Sequence, residues 1–382
     1  MGTNGTPNPD LVVIGGGVIG LSIAWQATKN GLSAAVIDDN PGRGASWAAA
    51  GMLPPASEVR FGEEATLRLK VESKQMYPAF VAELEADSGR SAGYLERGTL
   101  SVARDADENA ALEDVYRFQQ RLGLDVVRLK ARECRELEPG LAPNIRGGVL
   151  VEGDHQVDNR ALVEALLEAC RRAGVDLRAD RVEEVVVEGD RATGVVLATG
   201  GRLGCGTVVL AAGCWSSAIP GIPQEFVPPV RPVKGQLLHL RGPVSEPVAD
   251  RNIRSGEVYI VPRGDGRVVI GATMEEQGFD TTVTAGAVFT LLRAAWEILP
   301  GITELELVET VAGLRPGSPD NAPMIGESGL EGLVVATGHY RFGILLAPIT
   351  AASVVGLVTS GQMPASLEPF APGRFRSLEG AL

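Results

Sequence analysis

Apolar and polar positions alternate along the chain with two different periods. Residues 11–14 and 34–37 are short, fully apolar runs, which predict buried strands. Between them, residues 18–29 carry apolar side chains at helical spacing, and Gly31 is typical of a helix end. The same spacing predicts further helices at residues 63–89, 107–122, 285–299 and 345–360, and one that begins at Asp158 or Asn159.

Strand patterns dominate the stretches between these helices. Residues 181–213 consist of short β-type runs separated by Gly-Asp and Gly-Gly turns. The last of these runs ends in a small-residue turn like the one after residue 14. Residues 227–240 and 256–273 form a second β-rich stretch, and residues 94–103 resemble strands around a turn.

These blocks predict an α/β chain, α+β overall, with two domains. A Rossmann-type nucleotide-binding domain would be assembled from residues 1–85, 150–225 and 310–365. An inserted mixed or antiparallel β-sheet domain, which would bind the substrate, would comprise residues 86–149 and 226–309. Residues 366–382 would form a C-terminal tail.

Charge and cysteine content exclude several classes of function. The chain has 35 basic and 48 acidic residues and a net charge of −13, which disfavours a nucleic-acid partner. Its apolar runs are interpreted as far short of a bilayer span, so no membrane partner is expected. Four cysteines without paired spacing and three histidines suggest neither a disulfide framework nor a metal site. Reduced cysteines in a cytoplasmic protein are the expectation.

The segment that follows the first predicted strand fits the dinucleotide fingerprint G-x-G-x-x-G. Gly15, Gly17 and Gly20 hold its three glycine positions, and the second predicted strand ends at Asp38. Such glycines allow a tight turn, close approach of the backbone to a pyrophosphate, and close packing of helix on strand, while the acid can bind ribose hydroxyls. Because all parts occur in register, the pattern predicts a dinucleotide, but it does not choose between NAD and FAD.

Residues 42–53, GRGASWAAAGML, are nearly all small. Small side chains would let the backbone lie along an extended ligand. An alanine-rich run is equally typical of a helix start, and the spacing alone does not separate these interpretations.

Several motifs together resemble the FAD-dependent amine oxidases of the D-amino acid oxidase and sarcosine oxidase group, with the glycine oxidases as the nearest branch. They are VVIGGGVIGLSIAW, SWAAAGML, VRPVKGQ, GLRPGSPDNAPMIG and GHYRFGILLAP, and the resemblance extends from residue 12 to about residue 348. It implies an FAD domain and a sheet domain with the active site between them. It also implies noncovalent FAD, because no cysteine follows Cys214 to make the covalent link seen in sarcosine oxidases.

The resemblance assigns the cofactor contacts beyond the three glycines. They carry over to Val18, Ile19, Asp38, Asp39, Ser46, Ala50, Gly51, Met52, Val182, His339, Tyr340, Arg341, Phe342, Gly343, Ile344 and Leu345. Phe342 departs from the asparagine expected at its position, so the side-chain contact that an asparagine could make to flavin or substrate is not expected here, whereas the backbone role of the turn can be kept. The turn before the predicted helix at 345–360 would direct a positive helix end toward the flavin.

Three residues are assigned to the substrate by the same resemblance. Arg315 would clamp the carboxylate of an amino acid with its planar guanidinium, Tyr259 would add its hydroxyl, and Arg341 would lie over substrate and flavin. Each has an ordinary alternative, namely an ion pair of Arg315 with Asp320, a packing role for Tyr259 and a surface position for Arg341. Arg263 is interpreted as structural.

The implied reaction is oxidative deamination of glycine or another small amine or D-amino acid. Hydride would pass to the flavin, dioxygen would be reduced to hydrogen peroxide, and the imine would hydrolyse or enter thiazole synthesis for thiamine. No side chain is expected as an obligatory acid or base. The alternatives are a D-amino acid dehydrogenase with another electron acceptor, a catalytically silent FAD-binding subunit, or an NAD enzyme. Relatives also imply a homo-oligomer, a tetramer.

Overall fold

The structure is a computed structural model that describes residues 8–378. The ends of the first predicted nucleotide-binding piece and of the predicted C-terminal tail, residues 1–7 and 379–382, lie outside the described residues.

The strands of the described chain are numbered in order. They are β1 (Leu11–Ile14), β2 (Ala34–Ile37), β3 (Met52–Leu53), β4 (Thr99–Ala103), β5 (Val127–Lys130), β6 (Gly147–Val151), β7 (His155–Gln156), β8 (Asp176–Arg178), β9 (Val182–Glu188), β10 (Arg191–Leu197), β11 (Arg202–Gly204), β12 (Thr207–Leu210), β13 (Arg231–Arg241), β14 (Asn252–Arg254), β15 (Tyr259–Pro262), β16 (Arg267–Gly271), β17 (Glu306–Gly317), β18 (Met324–Glu327) and β19 (Leu333–Thr337).

The α-helices are numbered in the same way. They are α1 (Val18–Lys29), α2 (Ala45–Ala48), α3 (Glu64–Ser88), α4 (Ala106–Arg121), α5 (Ala131–Leu137), α6 (Asn159–Arg172), α7 (Ala285–Ile298) and α8 (Gly343–Ser360). Short 3₁₀ helices span Gly213–Ala218, Gln224–Phe226, Pro300–Glu304, Ala365–Phe370 and Pro372–Leu378.

A six-stranded sheet in the order β18-β19-β12-β1-β2-β8 holds the glycine turn. Its strands run parallel except for the antiparallel pair β18 and β19. Helices α1, α3, α6 and α8 pack together in its largest apolar core. The neighbouring strands β1 and β2 are continuously apolar and buried at every position, because both faces of a parallel sheet are covered.

An eight-stranded sheet in the order β17-β13-β16-β15-β14-β4-β6-β5 forms the other large unit. It is mixed, because β14 pairs with β4 in parallel and the other neighbours are antiparallel. Helix α7 packs on it over a separate apolar core. The boundaries predicted near residues 150 and 310 fall within β6 and β17 of this sheet, and the division into domains stays a prediction.

Two predicted elements differ from the observed ones. Residues 94–98 do not form the first of two strands, because only an isolated bridge from Leu95 to Gln156 pairs this segment, and the strand begins at Thr99. The alanine-rich stretch combines both interpretations left open, since α2 lasts one turn and Ala49 is already extended.

Helix α8 corrects the interpretation that every apolar run falls far short of a bilayer. Within residues 8–378 it is the one helix that is long and apolar enough to cross a membrane, with 18 residues, and 67% of it is buried inside the protein. This burial is typical of a central core helix. The expected absence of a membrane partner stays a prediction.

Candidate active site

A cavity of about 1110 Å³ lies between the two large sheets. It exceeds the range of about 300–1,000 Å³ that is typical of small-molecule sites, so it has room for a dinucleotide and a small second ligand. The glycine turn after β1 forms one part of its wall, and residues of β13, β15 and β17 form another part. The predicted residues that line it are Gly15, Gly17, Val18, Ile19, Asp38, Asp39, Ser46, Ala50, Gly51, Met52, Val182, Tyr259, Arg315, His339, Tyr340, Arg341, Gly343 and Ile344.

The glycine turn brings the backbone close to the cavity. Gly15 has a φ of +107°, and a Cβ there would lie 2.5 Å from the Ala211 carbonyl oxygen, so only glycine fits. Its N–H donates to the Ile37 carbonyl at 2.9 Å. Helix α1 begins beside this turn, and the N–H of Val18 is held by the Ser46 hydroxyl at 3.0 Å. The positive end of α1 therefore faces the cavity.

Asp38 already has two backbone donors. Its carboxylate accepts from the Gly16 N–H at 2.6 Å and the Asn40 N–H at 2.8 Å. Burial raises the pKa of Asp38, and these two N–H groups oppose the rise. The carboxylate fixes the turn, while its remaining lone pairs and the neighbouring, exposed Asp39 lie at the cavity wall.

The small-residue loop is held in place by a buried arginine. Arg263 of the β15–β16 turn donates to the Ala50 carbonyl at 2.8 Å, the Val157 carbonyl at 2.9 Å and the Asn159 side chain at 3.2 Å. Burial lowers its pKa to about 10. Gly51 has a φ of +69°, and a Cβ there would lie 2.0 Å from the Val157 carbonyl oxygen. These contacts agree with the structural role predicted for Arg263.

Helix α8 begins at the cavity after a turn in which Tyr340 has a φ of +50°. The Ser73 hydroxyl donates to the Leu345 carbonyl at 2.6 Å, and Tyr77 donates to the Ile344 carbonyl at 3.2 Å, so α3 anchors the first turn. The first intrahelical bond runs from Leu346 to Phe342. The N–H groups before it are left for another acceptor, and Gly343 and Ile344 line the cavity.

Three predicted cofactor contacts do not line the cavity. Gly20 serves packing instead, because a Cβ there would lie 2.0 Å from the Gly15 carbonyl oxygen. Phe342 and Leu345 are buried in the apolar core between α1, α3 and α8. The exchange of asparagine for phenylalanine at 342 therefore changes core packing and not the cavity wall.

The substrate residues meet at the end of the cavity formed by the second sheet. Arg315 Nη1 donates to the Thr273 carbonyl at 3.2 Å and the Lys234 carbonyl at 3.3 Å. Among residues 8–378 no carboxylate lies within ion-pair distance of it, and Asp320 is bound by Arg374 at 2.9 Å. The alternative ion pair of Arg315 with Asp320 is therefore excluded. Burial raises the pKa of Tyr259, and the nearby Arg315 cation opposes this rise.

Two glycines that the sequence interpretation missed make room for these side chains. A Cβ at Gly235 would lie 2.3 Å from Arg315 Nη1, and a Cβ at Gly271 would lie 2.3 Å from the Tyr259 hydroxyl. Gly235 lies in the middle of β13 and Gly271 ends β16. Glycine inside a strand often marks a close approach of another group, and this signal was present in the sequence.

Arg341 does not lie on the surface, and it meets an acid that the sequence interpretation also missed. Its side chain is 12% exposed, and its guanidinium lies 3.7 Å from Glu58 and 3.8 Å from Glu63. Burial alone would raise the pKa of Glu58, but Arg254, Arg341 and Lys70 outweigh it and hold the pKa below its usual value. Glu58 lines the cavity as an anion and is also bound by Arg254.

Cysteine and histidine give no second reactive centre in the described chain. All four cysteines are free, and burial raises the pKa of Cys214, the one cysteine at the cavity, to about 12. Burial lowers the pKa of His339 to about 3, so this histidine is neutral and bonds Thr350 at 3.0 Å. Within residues 8–378 no three potential metal ligands come together.

A family model described as FAD dependent oxidoreductase (DAO) matches residues 10–357. The chain belongs to this family. Glycine oxidase of Geobacillus kaustophilus is 35% identical over 365 residues, which cover 94% of this chain and 96% of that protein. The crystal structure of glycine oxidase from this organism matches with a TM-score of 0.89 at 34% identity and covers 97% of this chain and 99% of that chain.

Two other relatives are not named as glycine oxidases, and one of them is a longer, bifunctional protein. The bifunctional protein ThiO/ThiG of Trichormus variabilis is 36% identical over 372 residues, or 96% of this chain and 55% of that protein. The chain thus spans about half the length of this relative. The hydrogen cyanide synthase subunit HcnC of Pseudomonas aeruginosa is 31% identical over 404 residues and 96% of each chain.

Membership in the family confirms the predicted fold class, FAD as the cofactor, and FAD-dependent oxidation of an amine as the class of reaction. The cavity fits this cofactor. It has a glycine turn in which a Cβ would strike backbone, an acid beside that turn, and the open N-terminus of α8. That FAD is held without a covalent bond stays a prediction, as do the individual contacts.

Proposed function

We propose that the protein oxidises glycine and other small amino acids to the imine and passes the electrons to dioxygen, which gives hydrogen peroxide. One observation carries this proposal: Arg315, Tyr259 and Arg341 line the same cavity as the glycine turn that fits FAD. An amino-acid carboxylate needs a cationic partner, and the guanidinium of Arg315 has two backbone carbonyls and the neighbouring Tyr259 hydroxyl, but no carboxylate, as partners in the described chain.

The clamp on the carboxylate is proposed to consist of Arg315 and the hydroxyl of Tyr259. Arg315 reaches the cavity from β17, and Tyr259 reaches it from β15, which is separated from β17 by β13 and β16. Both are on strands of one sheet, so their relative position is rigid. Such a clamp would hold the Cα–H bond in a single orientation, which is the main contribution that positioning makes to rate.

When bound, FAD supplies the acceptor for the two electrons that leave the substrate. The chain contributes charge and exclusion of water. The N-terminus of α8 carries about half a positive charge and faces the cavity, so it stabilises negative charge that develops there. Ile344, a buried apolar residue in the first turn of α8, lines the cavity on that side.

Among the described residues, no side chain at the substrate end is suited to act as an obligatory base. His339 is neutral and bonded to Thr350, and Glu58 is engaged by Arg254. The substrate is therefore proposed to bind as the neutral amine. The imine would hydrolyse to a keto or aldehyde acid and ammonia, or be consumed in a thiazole synthesis such as the ThiO name of relatives suggests.

Three further features of the protein are part of this proposal. We expect FAD to be held noncovalently and the protein to be cytoplasmic. We also expect several copies to assemble, as a tetramer by resemblance. The two alternative functions, a dehydrogenase with another acceptor and a catalytically silent subunit, are not favoured by the glycine oxidase relatives.

A peroxide assay under air tests the proposal. The purified protein with FAD should release hydrogen peroxide with glycine, sarcosine, D-alanine or D-proline, and the ranking of the four gives the substrate preference. Pocket volume decides between such substrates, with about 1–3 kcal/mol for each methylene. Reduction of an artificial acceptor without peroxide would support a dehydrogenase instead, and no reaction with any acceptor would support a silent subunit.

A further inference from the structure

Lys70 is a buried cation for which the proposed reaction has no role. It lies on α3, its side chain is 0% exposed, and its Nζ has no hydrogen-bond partner in residues 8–378. The ammonium lies 4.1 Å from the centroid of the Phe342 ring, at the turn before α8. A charge without a hydrogen-bond partner is expensive inside a protein, so its position needs an explanation.

The charges around Lys70 belong to the substrate end of the cavity. Its charge interacts with the charges of Glu58, Glu63, Arg341 and Asp154, although none of these residues hydrogen-bonds it. Behind these, Arg254 binds Glu58, Arg60 faces Arg341, and Lys74 faces Asp154. Glu58 and Arg341 both line the cavity, whereas Lys70 lies outside its wall.

The acids closest to Arg341 do not fully engage it. Glu58 is in hydrogen-bond contact with Arg254, whereas its distance to the Arg341 guanidinium is 3.7 Å, and Glu63 lies at 3.8 Å. The Arg341 Nε is buried without a partner among the described residues. Arg254, Arg341 and Lys74 match Glu58, Glu63 and Asp154 in charge. A protonated Lys70, like the exposed Arg60, is therefore a positive charge in excess of these acids.

We propose that Lys70 is a positioning residue for the substrate carboxylate: its charge, together with that of Arg254, offsets the charge of Glu58 and thereby leaves the Arg341 guanidinium available to an anion in the cavity. Without this third cation, the charge of Glu58 would draw Arg341 into a closer ion pair. The inference rests on the proposed function for the identity of the anion, a carboxylate. In this proposal Lys70 acts through Glu58 and Arg341 and touches neither substrate nor cofactor.

The charge of Lys70 depends on pH in an accessible range. Burial lowers its pKa to about 8, although Glu58 and Glu63 oppose this. The positive charge is thus present below pH 8 and is lost as the pH rises through that value. His339 and Tyr259, two other groups at this end, do not titrate there, because burial lowers the pKa of His339 to about 3 and raises that of Tyr259.

Equilibrium binding of glycolate tests the proposal without turnover. Glycolate has a carboxylate that stays ionised from about pH 6.5 to about pH 9.5, and it lacks an amine that would titrate. Calorimetry on the FAD-loaded wild type should show an affinity that falls roughly tenfold across this range. Lys70→Met should bind weakly at every pH, and Lys70→Arg, which keeps its charge, should bind tightly throughout.

Arg68→Met is the matched control, because Arg68 is an exposed cation two residues away on the same helix. It should keep the wild-type affinity and its pH dependence. A pH-independent affinity in the wild type, or an unchanged fall in Lys70→Met, would overturn the proposal. If Lys70→Met does not fold, Lys70→Arg decides the question. A glycolate affinity that no longer decreases with pH in Lys70→Arg supports the proposal, and an affinity that still decreases as in the wild type overturns it.

The test is separable from that of the proposed function. Glycolate binding that weakens near pH 8 only when Lys70 is present supports the positioning role even if glycine yields no peroxide. If glycine yields peroxide but glycolate binding does not depend on pH, the positioning role of Lys70 is wrong and the proposed function stands.

Discussion

Replacement of Arg315 by alanine is expected to lower kcat/KM for glycine by about 100- to 1,000-fold and to leave FAD bound. In the described chain the guanidinium of Arg315 has no carboxylate partner, and it donates to the carbonyls of Thr273 at 3.2 Å and Lys234 at 3.3 Å. Its loss would leave a substrate carboxylate without its principal cation. Steady-state kinetics and the absorbance of bound FAD measure both quantities.

Two further variants separate charge from geometry at this position. Arg315→Lys keeps a positive charge but loses the planar fork, so an activity between wild type and Arg315→Ala is expected. Arg241→Ala removes an exposed arginine at the far end of β13, outside the cavity, and should behave as wild type. Unchanged kinetics in Arg315→Ala would show that the carboxylate is bound elsewhere.

Replacement of Gly235 by alanine is expected to reduce kcat/KM by about 100-fold, since a misplacement of about 1 Å can have such an effect. The added Cβ would lie 2.3 to 2.5 Å from three atoms of the Arg315 guanidinium. These atoms are at the end of a flexible side chain, so the arginine should move while the strand stays in place. Thermal unfolding and FAD content should therefore match wild type, and kinetics should show the defect.

Gly264→Ala is the control for this substitution. Gly264 lies in the β15–β16 turn, and a Cβ there would meet nothing within 4 Å. It should have wild-type kinetics. If Gly235→Ala retains full activity, then either the guanidinium tolerates displacement or it does not orient the substrate, and the rigid clamp would be wrong.

Local patterns were sufficient to predict the nucleotide-binding part of the fold. The turn of Gly15 and Gly17 and the acid at Asp38 depend on one βαβ segment, so their spacing identifies them directly. Helix α8 was predicted from residue 345 and begins at Gly343, because Phe342 takes the position before the helix and the turn is continuous with it. The distinction between NAD and FAD needed the whole set of motifs.

The substrate end could be predicted only in part. Glu58 follows two prolines and has no local motif, and it is positioned by Asp154, whose carboxylate holds the Ser57 N–H at 2.6 Å from 97 residues away. Lys70 has the spacing of an ordinary helical residue, and its burial depends on the packing of α3 against α8. Neither contact follows from sequence pattern, because each joins segments that are distant along the chain.

The absorbance of the FAD-loaded protein, without oxygen, shows directly whether glycine transfers electrons to the flavin. The oxidised-flavin absorbance of the wild type should bleach on addition of glycine, and Arg315→Ala should bleach only at much higher glycine concentrations. A wild-type spectrum that stays oxidised at every glycine concentration, and with sarcosine and D-alanine as well, would contradict the proposed function.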